Sequence, residues 1–154
     1  MRFKCPLIVV SNIKISKDFY EKILGQKVKF DFGENLVFEG DFSIQLKPHF
    51  ADMIGISQDD IIFKSNNFEL YFEEENLDGF IEKLYIIREI QYIHHLKEHP
   101  WGQRVIRFYD PDMHIIEVGE SMESVIKRFL SQGLSVKETS MRTQHPIEFV
   151  RQLL

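Results

Sequence analysis

One order of elements can be read twice along this chain, and that repetition limits the fold more than any single motif. Leu7-Ile8-Val9-Val10 reads as a strand. Ile15, Phe19, Ile23 and Leu24 then recur at the three-and-four spacing of a helix, which Gly25 ends. Val28, Phe30 and Phe32 alternate with polar residues, and short strands follow at 36–38 and around Ile44 and Leu46. In the second half Phe68, Leu70 and Phe72 alternate in the same way. Asn76 caps a helix carrying Leu77, Phe80, Ile81 and Leu84. Ile90, Tyr92 and Ile93, then residues 105–108, then Ile115, Ile116 and Val118 supply three more strands. The letters agree as well as the pattern: Phe19-Tyr20-Glu21-Lys22-Ile23-Leu24 answers to Phe80-Ile81-Glu82-Lys83-Leu84.

A unit of about 50 residues cannot cover its own sheet, so two such units are expected to pair across their concave faces. The expected class is α+β: two tandem βαβββ modules, 3–47 and 67–119, forming a curved mixed sheet around a cavity. Residues 48–66 are broken by Pro48, Gly55 and Ser65-Asn66-Asn67, and read as a connector with one helical turn. Residues 1–120 make the domain. Residues 121–154 read as a C-terminal extension of three short helices, the second opened by a capping box, Ser135 with Glu138.

The chain's 154 residues are enough for one core without staples, and its single cysteine, Cys5, cannot form an internal disulfide. No apolar run reaches membrane-spanning length, and the N-terminus does not read as a signal peptide, so the expected setting is the cytoplasm with no membrane partner. A net charge of −5 opposes binding to phosphate backbones. The tail is the exception, at +2 against −7 for the rest, and its three helices invite a helix-turn-helix reading. Its last helix offers only Arg151 against Glu148, too little for phosphate contacts, so no nucleic acid is expected. Its apolar face is instead expected to pack on the body or on a second subunit, as in a homodimer.

Several residues carry candidate chemistry. Glu117 lies between Ile116 and Val118, so it faces away from the core that they enter. His94, His95 and His99 crowd the loop before Trp101, where His94 or His95 could meet a ligand, and Trp101 could stack on one. Arg104 and Arg107 are an odd number of residues apart on one strand, so only one can point inward to hold a carboxylate. Asp110-Pro111-Asp112 is a turn with a structural role.

Three stretches carry a family likeness: residues 12–25 with their Phe-Tyr helix ending in Leu-Gly, Trp101-Gly102, and Phe108-Tyr109-Asp110-Pro111-Asp112 followed by Ile116-Glu117. With the duplicated βαβββ unit, they make residues 3–120 resemble the vicinal oxygen chelate superfamily of glyoxalase I, bleomycin-resistance proteins and ring-cleaving dioxygenases. The resemblance implies one divalent metal ion held by the first and last strands of each module, here at Cys5, Gln45, Glu69 and Glu117. It implies a lyase or isomerase acting on a small carbonyl or vicinal-oxygen compound, the metal polarising its oxygens and Glu69 or Glu117 moving a proton. None of the four places holds histidine, a departure from glyoxalase I. The second function the resemblance implies is that of the bleomycin-resistance proteins, which sequester a small aromatic or cationic molecule without chemistry. Where the family has glycine after the Asp-Pro-Asp turn this chain has Met113, which is expected to strain the backbone.

Overall fold

The computed structural model describes all 154 residues, Met1–Leu154. The chain divides into two compact units, the first Met1–Phe68 with Asp110–His114, the second Glu69–Tyr109 with Ile115–Leu154.

In the first unit, β1 (Leu7–Val10) leads into α1 (Ile13–Lys22), then β2 (Val28–Asp31), β3 (Asn35–Phe38) and β4 (Ser43–Leu46). The Asn12 side chain caps α1 by accepting from the Ile15 N–H at 3.1 Å. The strands lie in the order β1-β4-β3-β2, with β1 parallel to β4 and the other pairs antiparallel. Tyr20 of α1 is buried with Phe38 and Phe42, its ring 5.1 Å from that of Phe42. Its hydroxyl donates to Asp110 Oδ2 at 2.8 Å. That carboxylate also accepts from the backbone N–H groups of Asp112 and His114, at 2.9 and 2.8 Å. The Asp-Pro-Asp turn is thus pinned by its first residue, and Met113 takes a φ of 67°, the left-handed conformation its place predicted. Burial first, and then the Asp110 charge, push the Tyr20 phenol well above its ordinary pKa, so the hydroxyl stays a donor.

The connector holds more helix than its sequence suggested. Residues 47–54 form the two-turn α2 (Lys47–Ile54), followed by a single 3-10 turn at Gln58–Asp60. Pro48 sits in the first turn, where a missing N–H leaves no bond unmade, and Gly55 closes the helix at φ 72°. Proline and glycine punctuate this segment by bounding a helix, not by preventing one.

The second unit repeats the plan: β5 (Glu69–Glu73), α3 (Leu77–Ile86), β6 (Tyr92–Glu98), β7 (Arg104–Tyr109) and β8 (Ile115–Gly119). The order is β5-β8-β7-β6, again with the first strand parallel to the last. Leu70, Ile106, Phe108, Ile116 and Val118 are buried on one face, and α3 buries Leu77, Ile81 and Leu84. Each such side chain is worth about 1.5–3 kcal/mol of burial. The opposite face is aligned by the register, in which Tyr71 and Arg107 both stand beside Glu117. β6 continues through His94 and His95, which the sequence reading had placed in a loop. It is an edge strand with two register shifts, so it lacks the clean alternation that marks a strand in sequence.

Three helices complete this unit: α4 (Met122–Ser131), α5 (Val136–Thr143) and α6 (Ile147–Arg151). They are fastened in three ways. Phe129 is buried against Gly102, whose backbone at φ 91° leaves no room for a side chain: a Cβ there would lie 2.1 Å from the ring. Arg128 donates to the Gly102 carbonyl at 2.6 Å and to the buried Glu120 at 2.9 Å. Arg142 pairs with Glu98 at 3.0 Å and lies over the Phe129 ring. The capping box of α5 is present with both of its reciprocal bonds.

Candidate functional site

The open face of the second sheet carries the charged cluster. Arg107 donates from Nε to Glu69 Oε2 at 3.0 Å, and its Nη2 is ion-paired with Glu117 Oε2. Its Nη1 lies 3.2 Å from His94 Nε2. The His94 Nδ1 is 2.8 Å from the His95 carbonyl, which can only accept. A hydrogen on Nδ1 satisfies that bond and leaves Nε2 to accept from the guanidinium. One arginine therefore uses all three of its nitrogens to gather Glu69, Glu117 and His94. Of the two arginines on β7, it is Arg107 that shares the face of Glu117. Arg104 instead binds Asp78 at 2.9 Å and Glu120 at 2.8 Å. Burial alone would raise the Glu120 carboxyl, but bonds from Arg104 and Arg128 hold it below its ordinary value.

Beside this cluster lies a cavity of about 580 Å³, inside the range of roughly 300–1,000 Å³ typical of small-molecule sites. The sheet contributes Glu117 together with Tyr71 and Glu73, and the turn before β7 contributes Trp101 and Gln103. Met122, Thr143, Gln144 and His145 form the remaining wall. A chain of hydrogen bonds fixes the sheet side. Trp101 Nε1 donates to Gln103 Oε1 at 3.1 Å, Gln103 Nε2 to Tyr71 Oη at 2.8 Å, and Tyr71 Oη to Glu73 Oε1 at 2.9 Å. Burial, and then the neighbouring Glu73, push the Tyr71 phenol up to about 12.

Of the residues singled out in the sequence, Glu117 and Trp101 line the cavity, while Glu69, Arg107 and His94 form the adjoining cluster. His95 packs its ring at a tilt against Tyr92 at 4.6 Å and edge-on to Tyr85 of α3 at 5.5 Å. Cys5 and Gln45 belong to the first unit. Cys5 precedes β1, its sulfur 3.8 Å from Ser43 Oγ. Gln45 is buried in β4, donates to the Glu34 carbonyl at 2.8 Å, accepts from Asn35 Nδ2 at 2.9 Å, and lies 2.8 Å from His49 Nδ1. Tyr71, Glu73 and Gln103 escaped the sequence reading, although Tyr71 and Glu73 share the alternating face of Glu69. The tail residues gave no sequence signal, because they enter the wall from the start of α4, the end of α5 and the turn after it.

The implied divalent ion does not suit these residues. The two carboxylates expected to hold it already share the guanidinium of Arg107, and the Gln45 amide is committed to its own strand neighbours. No group of three His, Cys, Asp or Glu side chains is disposed to hold a metal ion.

Residues 3–123 match the family model described as a glyoxalase-like domain. A crystal structure of a protein of unknown function from Agrobacterium tumefaciens is 39% identical, covers 79% of this chain and 94% of that one, and superposes with a TM-score of 0.69. A glyoxalase-related enzyme from Fulvimarina pelagi (16% identity, 79% and 89% covered, TM-score 0.65) shares the fold. A lactoylglutathione lyase from Agrobacterium tumefaciens does too (16% identity, 76% and 92% covered, TM-score 0.58). No curated protein matches the chain.

Proposed function

The chain belongs to the glyoxalase-like domain family, and from that premise we propose that it binds a small organic molecule in the cavity of its second unit without using a metal ion. The observation that carries this reading is Arg107, which supplies a fixed positive charge to both Glu69 and Glu117. A divalent ion would have to displace a guanidinium that is hydrogen-bonded to Glu69 and His94 and ion-paired with Glu117. The metal-dependent lyase or isomerase that the family likeness implies needs those same carboxylates free, so the sequestering function of the family is the better match. Trp101 and Met122 offer the ligand apolar surface, and Glu117 and Glu73 offer it charge.

Exposed and stacked Phe30 and Phe32, at the end of the edge strand β2, support a homodimer as part of the same proposal, which analytical ultracentrifugation checks. The cytoplasm remains the proposed setting, in keeping with the absence of any helix long and apolar enough to cross a membrane.

The test is elemental analysis of protein purified without chelators, run beside a thermal-shift screen of small aromatic compounds in metal-free buffer. The proposal expects no stoichiometric metal and a rise in melting temperature with some compounds. About one divalent ion per chain, lost in Glu117→Ala, would refute it.

A further inference from the structure

We propose that the C-terminal helices complete the ligand site, that His145 is a ligand-contacting residue, and that the ligand is an organic amine, an ammonium group on a flat apolar body. The inference rests on the binding function proposed above and adds the partner's chemistry and a second wall.

The family model ends at residue 123, yet Thr143, Gln144 and His145 line the cavity. Their position is fixed. Phe129 fills the space over Gly102, Arg128 and Arg142 tie α4 and α5 to the turn and strand around it, and Gln144 holds a left-handed φ of 59° as α5 ends. A non-glycine residue in that conformation costs about 1 kcal/mol and persists only where its surroundings enforce it.

The wall's hydrogen-bonding inventory is lopsided. The Trp101 N–H is spent on Gln103, and the two Gln103 N–H groups go to Tyr71 and to the Glu120 carbonyl, the latter at 2.9 Å. The Tyr71 hydroxyl is spent on Glu73, and the Thr143 hydroxyl on the Thr139 carbonyl at 2.8 Å. His145 Nδ1 lies 2.8 Å from the Thr143 carbonyl, which can only accept, so the ring's hydrogen sits on Nδ1 and Nε2 is left as an acceptor. What the wall still offers is mostly acceptors: the Glu73 and Glu117 carboxylates and His145 Nε2, with the Gln144 amide bringing both kinds. Glu117 has Arg107 as its cation, whereas no lysine or arginine pairs with Glu73. A ligand that brings N–H donors and one positive charge satisfies this set, and a carboxylate does not. Trp101 and Met122 receive the apolar body.

Trp101 is the chain's single tryptophan, so its fluorescence reports occupancy directly. Titrations compare phenethylamine with 3-phenylpropionate, an acid of similar shape. The wild-type chain should bind the amine about tenfold more tightly, since a charged hydrogen bond contributes roughly one order of magnitude. Glu73→Gln should weaken amine binding about five- to tenfold at unchanged melting temperature, and His145→Ala, which also loses the ring contact with Phe149, should weaken it by a similar factor. His145→Asn keeps a donor for the Thr143 carbonyl and removes the Nε2 acceptor, so it should lose affinity even if the alanine variant fails to fold. Full amine affinity in both His145 variants would remove the tail from the site while leaving the binding function standing. Equal or tighter binding of the acid, or no binding of the amine, would overturn the ligand class. Failure of the underlying function is read separately, as a stoichiometric metal ion in the purified protein.

Discussion

Replacing Arg107 with methionine keeps most of the side chain's stem and removes the charge that Glu69, Glu117 and His94 share. The Glu117 side chain is only 9% exposed, so without Arg107 its charge has no partner in a poorly hydrated place. Breaking such a pair from one side costs about 3–5 kcal/mol. Glu69 is 40% exposed and is re-solvated more easily, so its lost pair adds at most about 1 kcal/mol. A loss of about 3–6 kcal/mol is expected at neutral pH. With a urea dependence of about 2 kcal/mol per molar for a domain of this size, the unfolding midpoint should fall by roughly 1.5–3 M. The double variant Arg107→Met with Glu117→Gln removes the stranded charge and should recover about 2 kcal/mol, a coupling that a double-mutant cycle measures. Adding Mn²⁺ should stabilise Arg107→Met, whose two carboxylates are now free, and leave the wild type unmoved. A midpoint within about 0.5 M of wild type, or no recovery in the double variant, would refute the reasoning that Arg107 is the cation this site is built on.

Other outcomes follow from the same contacts. Gly102→Ala combines a disfavoured φ with a Cβ driven into Phe129; it should cost about 3 kcal/mol and lower the melting temperature by roughly 10 °C in calorimetry. Tyr20→Phe deprives the buried Asp110 of one of its hydrogen bonds and should cost about 1.5–3 kcal/mol in urea denaturation. Glu120→Gln loosens both Arg104 and Arg128 and should cost about 2 kcal/mol at neutral pH. Because the folded-state pKa of Glu120 is depressed, its stabilisation is complete above the unfolded value and is lost as pH falls through the folded one. The gap between wild type and Glu120→Gln in urea unfolding should therefore close on acidification, and a gap that widens below pH 4 contradicts the assignment.

The fold was legible because each module states its elements through apolar spacing, and Asn76 caps the helix of the second as expected. What escaped was the full extent of two elements without a clean period: β6 runs on through His94 and His95 to Glu98 as an exposed edge strand with two shifts in register, and the single expected helical turn is the two-turn α2 that Gly55 closes. For the site, alternation placed Glu117 on the open face, and the odd spacing of Arg104 and Arg107 put one arginine there with it. That this arginine would bind the carboxylates was not legible, because pairing across strands depends on register, which the sequence states only loosely. The wall formed by Thr143, Gln144 and His145 left no trace at all, since it depends on how α5 is held by Phe129 and by the arginines on either side of it.

The Arg107 guanidinium can be observed directly by nitrogen-15 NMR, with its signals assigned by comparison with Arg107→Met. Held at once by Glu69, Glu117 and His94, its two terminal nitrogens should rotate slowly, give separate resonances, and keep their positions when Zn²⁺ is added. A freely rotating guanidinium whose averaged signal shifts in step with one equivalent of zinc would mean that the carboxylates belong to a metal after all.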